Sequence, residues 1–380
     1  MDRNFNRRTF IKGTGAAGLA GLAGCSGGPD ESTPTETSDD GTSTTTTSDG
    51  GSAGGSATVN VGMVYATGGL GDGSFNDQAQ IGIQQAAEEF DVSYDESQPD
   101  SVSQFAQYQQ QYAQSTNPNY DLVSCIGFLQ ADSLSKTAPD YPDQDFMIVD
   151  SVVDEPNVRS YTFAEHEGSF LVGQLAGILT TKSFSAGSGS TQSDSTNVGF
   201  VGGVKSSLIQ KFEAGYKAGV KYANSNVDVA TSYVGSFNDP SAGKEAALAM
   251  YNSGADIVFH AAGNTGTGVF QAAQEKGRFA IGVDRDQSKT KPDYADVILA
   301  SMVKRVDTAV YNAVKAQVNG NFQGGTSVSL GLADEGVAIV YGQQLGADIS
   351  SSVKSEIEAS MQAIIDGEIS VPTNPNQVSG

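Results

Sequence analysis

After residue 57, short apolar runs rich in β-branched residues recur along the chain. They are bounded by Gly, Asn and Asp and alternate with stretches of helical periodicity. The runs predict strands over 58–65, 122–126, 146–149, 198–201, 230–234, 257–260 and 280–283. The periodic stretches predict helices over 76–90, 102–115, 131–138, 167–181, 206–223, 241–253 and 267–274. Unbroken apolar runs suit strands buried on both faces, and strand–helix alternation builds parallel sheets. The pattern therefore predicts an α/β fold of parallel sheets flanked by helices. Residues 183–197, rich in Ser, Gly and Thr, interrupt the rhythm near the midpoint. They read as a surface loop, with the switch into a second lobe close by.

The first 57 residues do not follow this rhythm. Asn6-Arg7-Arg8-Thr9-Phe10-Ile11-Lys12 precedes a weakly apolar run of Gly, Ala, Leu and Thr over 13–24. Adjacent arginines before such a run have the form of a twin-arginine export signal. Twelve such residues are too few to span a bilayer, which needs about 20 mostly apolar ones. The run ends in Leu22-Ala23-Gly24-Cys25, the form of a lipobox in which Cys25 carries a lipid. Residues 25–57 are Ser, Thr, Gly, Asp, Glu and Pro with almost nothing apolar, a composition that cannot offset its own ordering entropy. Signal (1–24), acylable cysteine and spacer (25–57) together predict a folded part tethered to the outer face of the cell membrane.

Charge narrows the partners. In 380 residues, 44 acidic side chains stand against 21 basic ones, a formal net charge of −23. Residues 1–24 hold Arg3, Arg7, Arg8 and Lys12 against Asp2, a net +3, so their removal leaves −26. A polyanion of this size argues against nucleic acid as a partner and against charge-driven binding to an anionic membrane. With lysine sparse, it points to a halophilic protein, because carboxylate repulsion is screened within about 3 Å in 1 M salt. Two cysteines (Cys25, Cys125) and two histidines (His166, His260) exclude a disulfide framework, a four-cysteine zinc site and a multi-histidine metal centre. No cofactor is expected. Cys125, inside a strand pattern, reads as a buried free thiol, and both histidines read as structural.

In parallel sheets, ligands meet residues just beyond the carboxyl ends of strands. The junctions are Gly68-Gly69-Leu70-Gly71-Asp72-Gly73-Ser74-Phe75-Asn76, Asp150, Gly235-Ser236-Phe237-Asn238-Asp239, Gly263-Asn264-Thr265-Gly266 and Asp284-Arg285-Asp286. Two carry a phenylalanine and two carry a carboxylate at the strand end. The Gly69-x-Gly71-x-Gly73 loop lacks dinucleotide spacing and the lysine of a phosphate cradle, so it reads as a flexible turn. From these residues alone, Phe75 and Phe237 are core or ligand platform, and Asp150 and Asp284 are helix caps or ligand groups. Lys304 is a solvated side chain or a ligand group.

In this order the junctions resemble the basic membrane protein family of solute-binding lipoproteins, which serve ABC importers and include purine nucleoside receptors. The resemblance covers about 58–343. It is carried by Asp72-Gly73-Ser74-Phe75-Asn76, Gly127-Phe128, Glu167-Gly168-Ser169-Phe170, Tyr233-Val234-Gly235-Ser236-Phe237-Asn238-Asp239-Pro240, Gly282-Val283-Asp284-Arg285-Asp286 and Ser301-Met302-Val303-Lys304-Arg305. With the acidic composition it points to a haloarchaeal member. It implies a two-lobed, ribose-binding-protein-like fold, with lobe one at 58–164 plus about 305–340 and lobe two at 165–304 plus about 341–380.

It also implies a monomeric, non-enzymatic receptor that binds a purine nucleoside and partners an ABC permease, touching the membrane through its lipid anchor only. Phe75 and Phe237 would then sandwich the base, and Asn76 and Asp150 would read its edge. Asp284 and Lys304 would hold the ribose hydroxyls, with Gly263 and Gly266 lining the sugar side. One departure stands out: Ala66 replaces the aspartate usual after the first strand, which bears on which solute is bound. A tethered sensor is the alternative, and a nucleoside-processing enzyme is disfavoured because no nucleophile sits beside a paired base in any recognisable motif.

Overall fold

Strand and helix alternate as the apolar pattern predicts. The computed structural model describes residues 58–192 and 194–378; Arg7, Arg8, Cys25 and the 25–57 spacer lie outside the described residues. The first series runs β1 (Val59–Val64), α1 (Phe75–Glu89), β2 (Val92–Ser97), α2 (Phe105–Ala113), β3 (Leu122–Cys125), α3 (Ala131–Thr137), β4 (Asp145–Val149) and β5 (Val158–Phe163). The chain then passes into α4 (Glu165–Thr180), a small hairpin of β6 (Ser185–Ala186) and β7 (Gly189–Ser190), and a second series. That series is β8 (Asn197–Gly202), α5 (Ser207–Ala223), β9 (Asp228–Tyr233), α6 (Pro240–Asn252), β10 (Ile257–Ala261), α7 (Gly266–Lys276), β11 (Phe279–Asp284), the one-turn α8 (Gln287–Thr290) and β12 (Ile298–Lys304). The closing elements are α9 (Val306–Val318), β13 (Thr326–Leu330), β14 (Val337–Tyr341) and α10 (Ser351–Ile365).

The strands form two six-stranded sheets, ordered β13-β5-β4-β3-β1-β2 and β14-β12-β11-β10-β8-β9. Within them every pairing is parallel except β12 with β14. The same winding is used twice. In each sheet the order reverses beside the first strand of its series, β1 or β8, and the crevice beyond the carboxyl ends at such a point is where α/β sheets take ligands.

The chain passes between the series three times: at Ala164, at Arg305, and between Leu330 and Val337. The last passage falls slightly ahead of the boundary near 341 expected from sequence, because Val337–Tyr341 already pairs with β12. Helix α9 returns to the first series and lies against α1 so closely that a Cβ on Gly82 would stand 2.4 Å from the Asp307 carbonyl oxygen. Helices α4 and α5 are as close: a Cβ on Gly219 would lie 1.9 Å from the Phe170 carbonyl oxygen. The 183–197 segment, expected as a loop, contains the β6–β7 hairpin, and Gly189 of β7 sits on the Phe279 ring.

Strands β3, β10 and β12 are buried along their whole length, and the first two stand out in the sequence as mostly apolar runs. Cys125 is a buried free thiol, and burial pushes its pKa up. Among the described residues no helix is long and apolar enough to cross a membrane.

Candidate functional site

The carboxyl ends of both sheets face one cavity. The first series contributes Ala66, Asp72, Phe75, Asn76, Phe105, Phe128 and Asp150 to its wall; the second contributes Leu208, Phe212, Phe237, Gly263, Asp284 and Lys304. All the predicted ligand residues except Gly266 line it.

Phe75 opens α1, and the turn before it is set by one carboxylate. Asp72 accepts from the backbone N–H groups of Ser74 (2.8 Å), Asn76 (2.9 Å) and Asp77 (3.3 Å). Burial pushes the Asp72 pKa up. Asn76 is 3% exposed, and both ends of its amide are engaged by the same loop: Oδ1 accepts from Ala66 N at 2.9 Å and Nδ2 donates to Gly69 O at 3.0 Å. Asn76 thus braces the β1–α1 loop, and Ala66 presents only a methyl group where a longer side chain would enter the cavity. Phe237, after β9, lies over Gly203, where a Cβ would come 2.4 Å from its ring. The Phe128 ring meets it edge-on, with centroids 6.2 Å apart.

Lys304, the last residue of β12, is the charge centre. Its side chain is 2% exposed, and Nζ donates to Asp150 Oδ2 at 2.6 Å and lies 3.8 Å from Glu165 Oε1. Nζ also sits 4.8 Å from the Phe75 ring centroid and 5.4 Å from those of Phe163 and Phe212, an aromatic cage for a cation. Burial alone would lower the Lys304 pKa; Asp150, Glu165 and Asp284 together outweigh it and raise the pKa above the ordinary lysine value. The sequence reading grouped Lys304 with Asp284 and Asp150 with Asn76. In the structure the direct ion pair is Lys304 with Asp150.

Asp150 Oδ1 is buried and has no hydrogen-bond partner. Asp284 accepts from Ser74 Oγ across the cleft at 2.5 Å. Burial pushes the Asp284 carboxyl up to about 6, against the pull of Lys304 and the Ser74 hydrogen bond. Further contacts join the two walls of the cleft. Gly73 O accepts from Thr290 Oγ1 at 2.8 Å and from Gln287 Nε2 at 3.4 Å, and Arg285 lies 3.9 Å from Asp77.

Gly263 lines the cavity, but Gly266 does not. Gly266 opens α7, and a Cβ there would stand 1.9 Å from the His260 ring; it is glycine to make room for that ring. His260 is buried, its Nε2 is 2.9 Å from Gln287 Oε1, and burial lowers its pKa to about 4. Burial likewise lowers His166 to about 4.

Four residues of the site escaped the sequence reading. Phe128 was visible, since it follows a strand as Phe237 does. Phe105 follows β2, a strand too polar to be recognised. Phe212 and Glu165 lie within helices, where nothing in the local pattern separates them from ordinary helix residues. Among the described residues no cluster of His, Cys, Asp and Glu could hold a metal ion.

The family model described as "ABC transporter substrate-binding protein PnrA-like" matches residues 59–375. A twin-arginine translocation signal model matches residues 4–24. The "CD4+ T-cell-stimulating antigen" of Listeria monocytogenes is 37% identical over 84% of this chain and 90% of its own length. The "ABC transporter nucleoside-binding protein BmpA" of Lactococcus lactis is 35% identical over 83% of this chain and 89% of its own. Among solved structures, an ABC transporter system solute-binding protein from Aeropyrum pernix superimposes with a TM-score of 0.74 at 30% identity, covering 84% of this chain and 94% of that one.

Proposed function

Because the chain belongs to the PnrA-like family of ABC transporter substrate-binding proteins, a family of solute carriers and not of enzymes, we propose that it captures a purine nucleoside between its two sheets and delivers it to the permease of an importer. The sheets with their helices act as the two lobes. The chain carries a twin-arginine export signal, and in this reading Cys25 behind it is lipidated and tethers the protein to the outer face of the membrane.

The observation that carries the ligand reading is the pairing of aromatic faces with buried acceptors in one cavity. Phe75 and Phe237 come from opposite walls, and a flat heterocycle stacked on an aromatic side chain gains about 1–3 kcal/mol per base. Asp150 Oδ1 is an unfilled acceptor, and a carboxylate accepting from a ligand N–H or O–H makes a bond roughly twice as strong as a neutral one. Asp284 accepts from vicinal hydroxyls. The printed name of the Lactococcus relative, a nucleoside-binding protein, supports the same class. A 5′-phosphate has no added cation to meet here, since Lys304 is already held by Asp150, so nucleotides bind worse than nucleosides.

Calorimetric titration of the exported chain, refolded free of co-purified solute in molar salt, tests the reading with adenosine, guanosine, inosine, uridine, adenine and ribose. Purine nucleosides bind most tightly if it is right. Binding of ribose alone, or of no nucleoside, overturns it. Mass spectrometry of membrane extracts checks the tether, and an unmodified Cys25 thiol in exported protein removes it.

A further inference from the structure

We propose that Glu165 is a positioning residue of the binding site: from behind the cavity wall it holds the Lys304 ammonium in place, so that solute affinity depends on a carboxylate the solute never touches. The inference rests on the reading of the cleft as the solute site.

The geometry is specific to the passages between the two series. Glu165 is the first residue of α4, directly after the passage at Ala164, and Lys304 is the last residue of β12, directly before the passage at Arg305. One buried contact therefore ties two of the three connections, with Glu165 Oε1 3.8 Å from Lys304 Nζ. The third is fastened to the same helix, where Glu167 Oε2 accepts from Leu332 N at 2.9 Å. Glu165 is fully buried yet absent from the cavity wall. Its effect on a solute passes through groups that do line the cavity, above all Lys304, which Asp150 also grips.

A carboxylate taken out of water is retained at a cost unless cations answer it. The charged groups facing Glu165 are Lys304 from β12, Lys211 from α5 (3.5 Å to Oε2) and Asp150 just after β4, with His166 next to it on its own helix. Asp284 of β11 acts on the same ammonium. Glu165 Oε1 has no hydrogen-bond partner, so its hold on Lys304 is electrostatic and exists only in the ionised form. Burial raises the Glu165 carboxyl to about 7, with Lys304 pulling against it and Asp150 adding to it. The hold is therefore present above neutrality and released below it.

The test is inosine and adenosine titration of the wild type, Glu165→Gln and Lys211→Met from about pH 5.5 to about pH 8.5. Wild-type affinity is expected to fall on acidification through about pH 7. Glu165→Gln is expected to be weaker by about tenfold at the alkaline end, well within the interaction of two opposite charges at about 4 Å, to match the wild type at the acid end, and to lack that step. Lys211→Met removes only the outer cation, whose side chain is 31% exposed, and should move the step to higher pH; it decides the matter should Glu165→Gln not fold. A Glu165→Gln protein that melts lower but keeps the wild-type pH profile shows a merely structural carboxylate and overturns the proposal.

If neither nucleoside binds the wild type, the ligand reading has failed on its own. The ammonium then decides separately, through the Lys304 side-chain nitrogen resonance of solute-free protein. It should shift with pH near neutrality in the wild type and not in Glu165→Gln, and an invariant resonance in both overturns the proposal.

Discussion

Asp150 and Asp284 are equivalent residues of the two sheets. One follows β4 and the other ends β11, the strands that hold the same place in the two windings, and both have left-handed backbone, with φ of +70° and +63°. Few residues besides glycine accept that region, and Asp is among the tolerant ones. Non-glycine residues held there cost of order 1–3 kcal/mol and persist where the surroundings over-determine them. Here each turn aims a buried carboxylate into the same cavity from an opposite wall. Their surroundings then diverge. Asp150 is gripped by Lys304, while Asp284 is held by Ser74 from across the cleft.

That divergence separates their effects on binding. On the proposed reading, Asp284→Ala removes a solute acceptor together with a contact between the walls, and should weaken nucleosides far more than free bases. Calorimetry with adenosine against adenine reads the difference, and equal losses for both would end the assignment of Asp284 to the sugar. Asp150→Ala should be the more damaging to the fold, because it leaves the Lys304 ammonium buried without its closest partner, a change of about 3–5 kcal/mol when a buried pair is broken on one side.

The two proposed stacking platforms should behave alike in sign and differ in side effects. Phe75→Ala and Phe237→Ala are each expected to weaken a purine nucleoside by about 1–3 kcal/mol. Phe75→Ala also removes one ring from the Lys304 cage, so it alone should alter the pH dependence of binding. Titration at several pH values distinguishes them, and unchanged affinity in both variants rules out stacking.

What the sequence made legible follows burial. The central strands are buried on both faces and stand out as apolar runs, as in Ile257–Ala261. The edge strands β2 (VSYDES) and β13 (TSVSL) are half exposed and polar, and only their neighbours make them strands. Strand β12 is fully buried but went unrecognised, since a short apolar run has no periodicity of its own to separate strand from helix. In the site, Phe75, Phe237, Asp150 and Asp284 were visible because each sits at a strand-to-helix junction. Glu165 was not. An acidic residue at the start of a helix looks like an ordinary favourable interaction with the helix dipole, and nothing local connects residue 165 to residue 304.

Gly266 gives a prediction about stability. A methyl group there would meet the His260 ring at 1.9 Å, inside a core that also holds Phe270 5.1 Å from that ring. Gly266→Ala should lower stability by about 1–3 kcal/mol or more through overpacking. Thermal melts measure it, and a melting point equal to wild type would return Gly266 to the candidates for ligand contact.

The charge predicts salt dependence. With −26 on the chain after the signal is removed, lowering salt from about 1 M to about 0.1 M extends the Debye length from about 3 Å to about 10 Å. Carboxylate repulsion then reaches between neighbours, and the melting temperature of the chain without residues 1–24 should fall steadily. A flat response would mean that the acidic surface serves hydration alone.

Asp284 is expected to set a second pH step, distinct from the one proposed for Glu165. Its folded pKa is raised by burial to about 6 from an ordinary 3.8, so the folded state binds its proton more tightly than the unfolded chain does. The sign is the reverse of a salt-bridged carboxylate: stability is greatest below the unfolded pKa and is lost as pH rises towards 6, then stays level. A solute donating hydroxyls to Asp284 favours the ionised form, so it pulls the pKa down and binds better with rising pH until about 6. Asp284→Asn abolishes both effects at once. It should gain stability relative to wild type at neutral pH while losing nucleoside affinity, and its affinity should no longer change between about pH 5 and pH 6. Melts and titrations on the same pair of proteins measure the two. A variant that loses affinity but keeps the acid step would place that step on another group, and Asp72, buried in the same wall with its pKa also raised, is the next to replace.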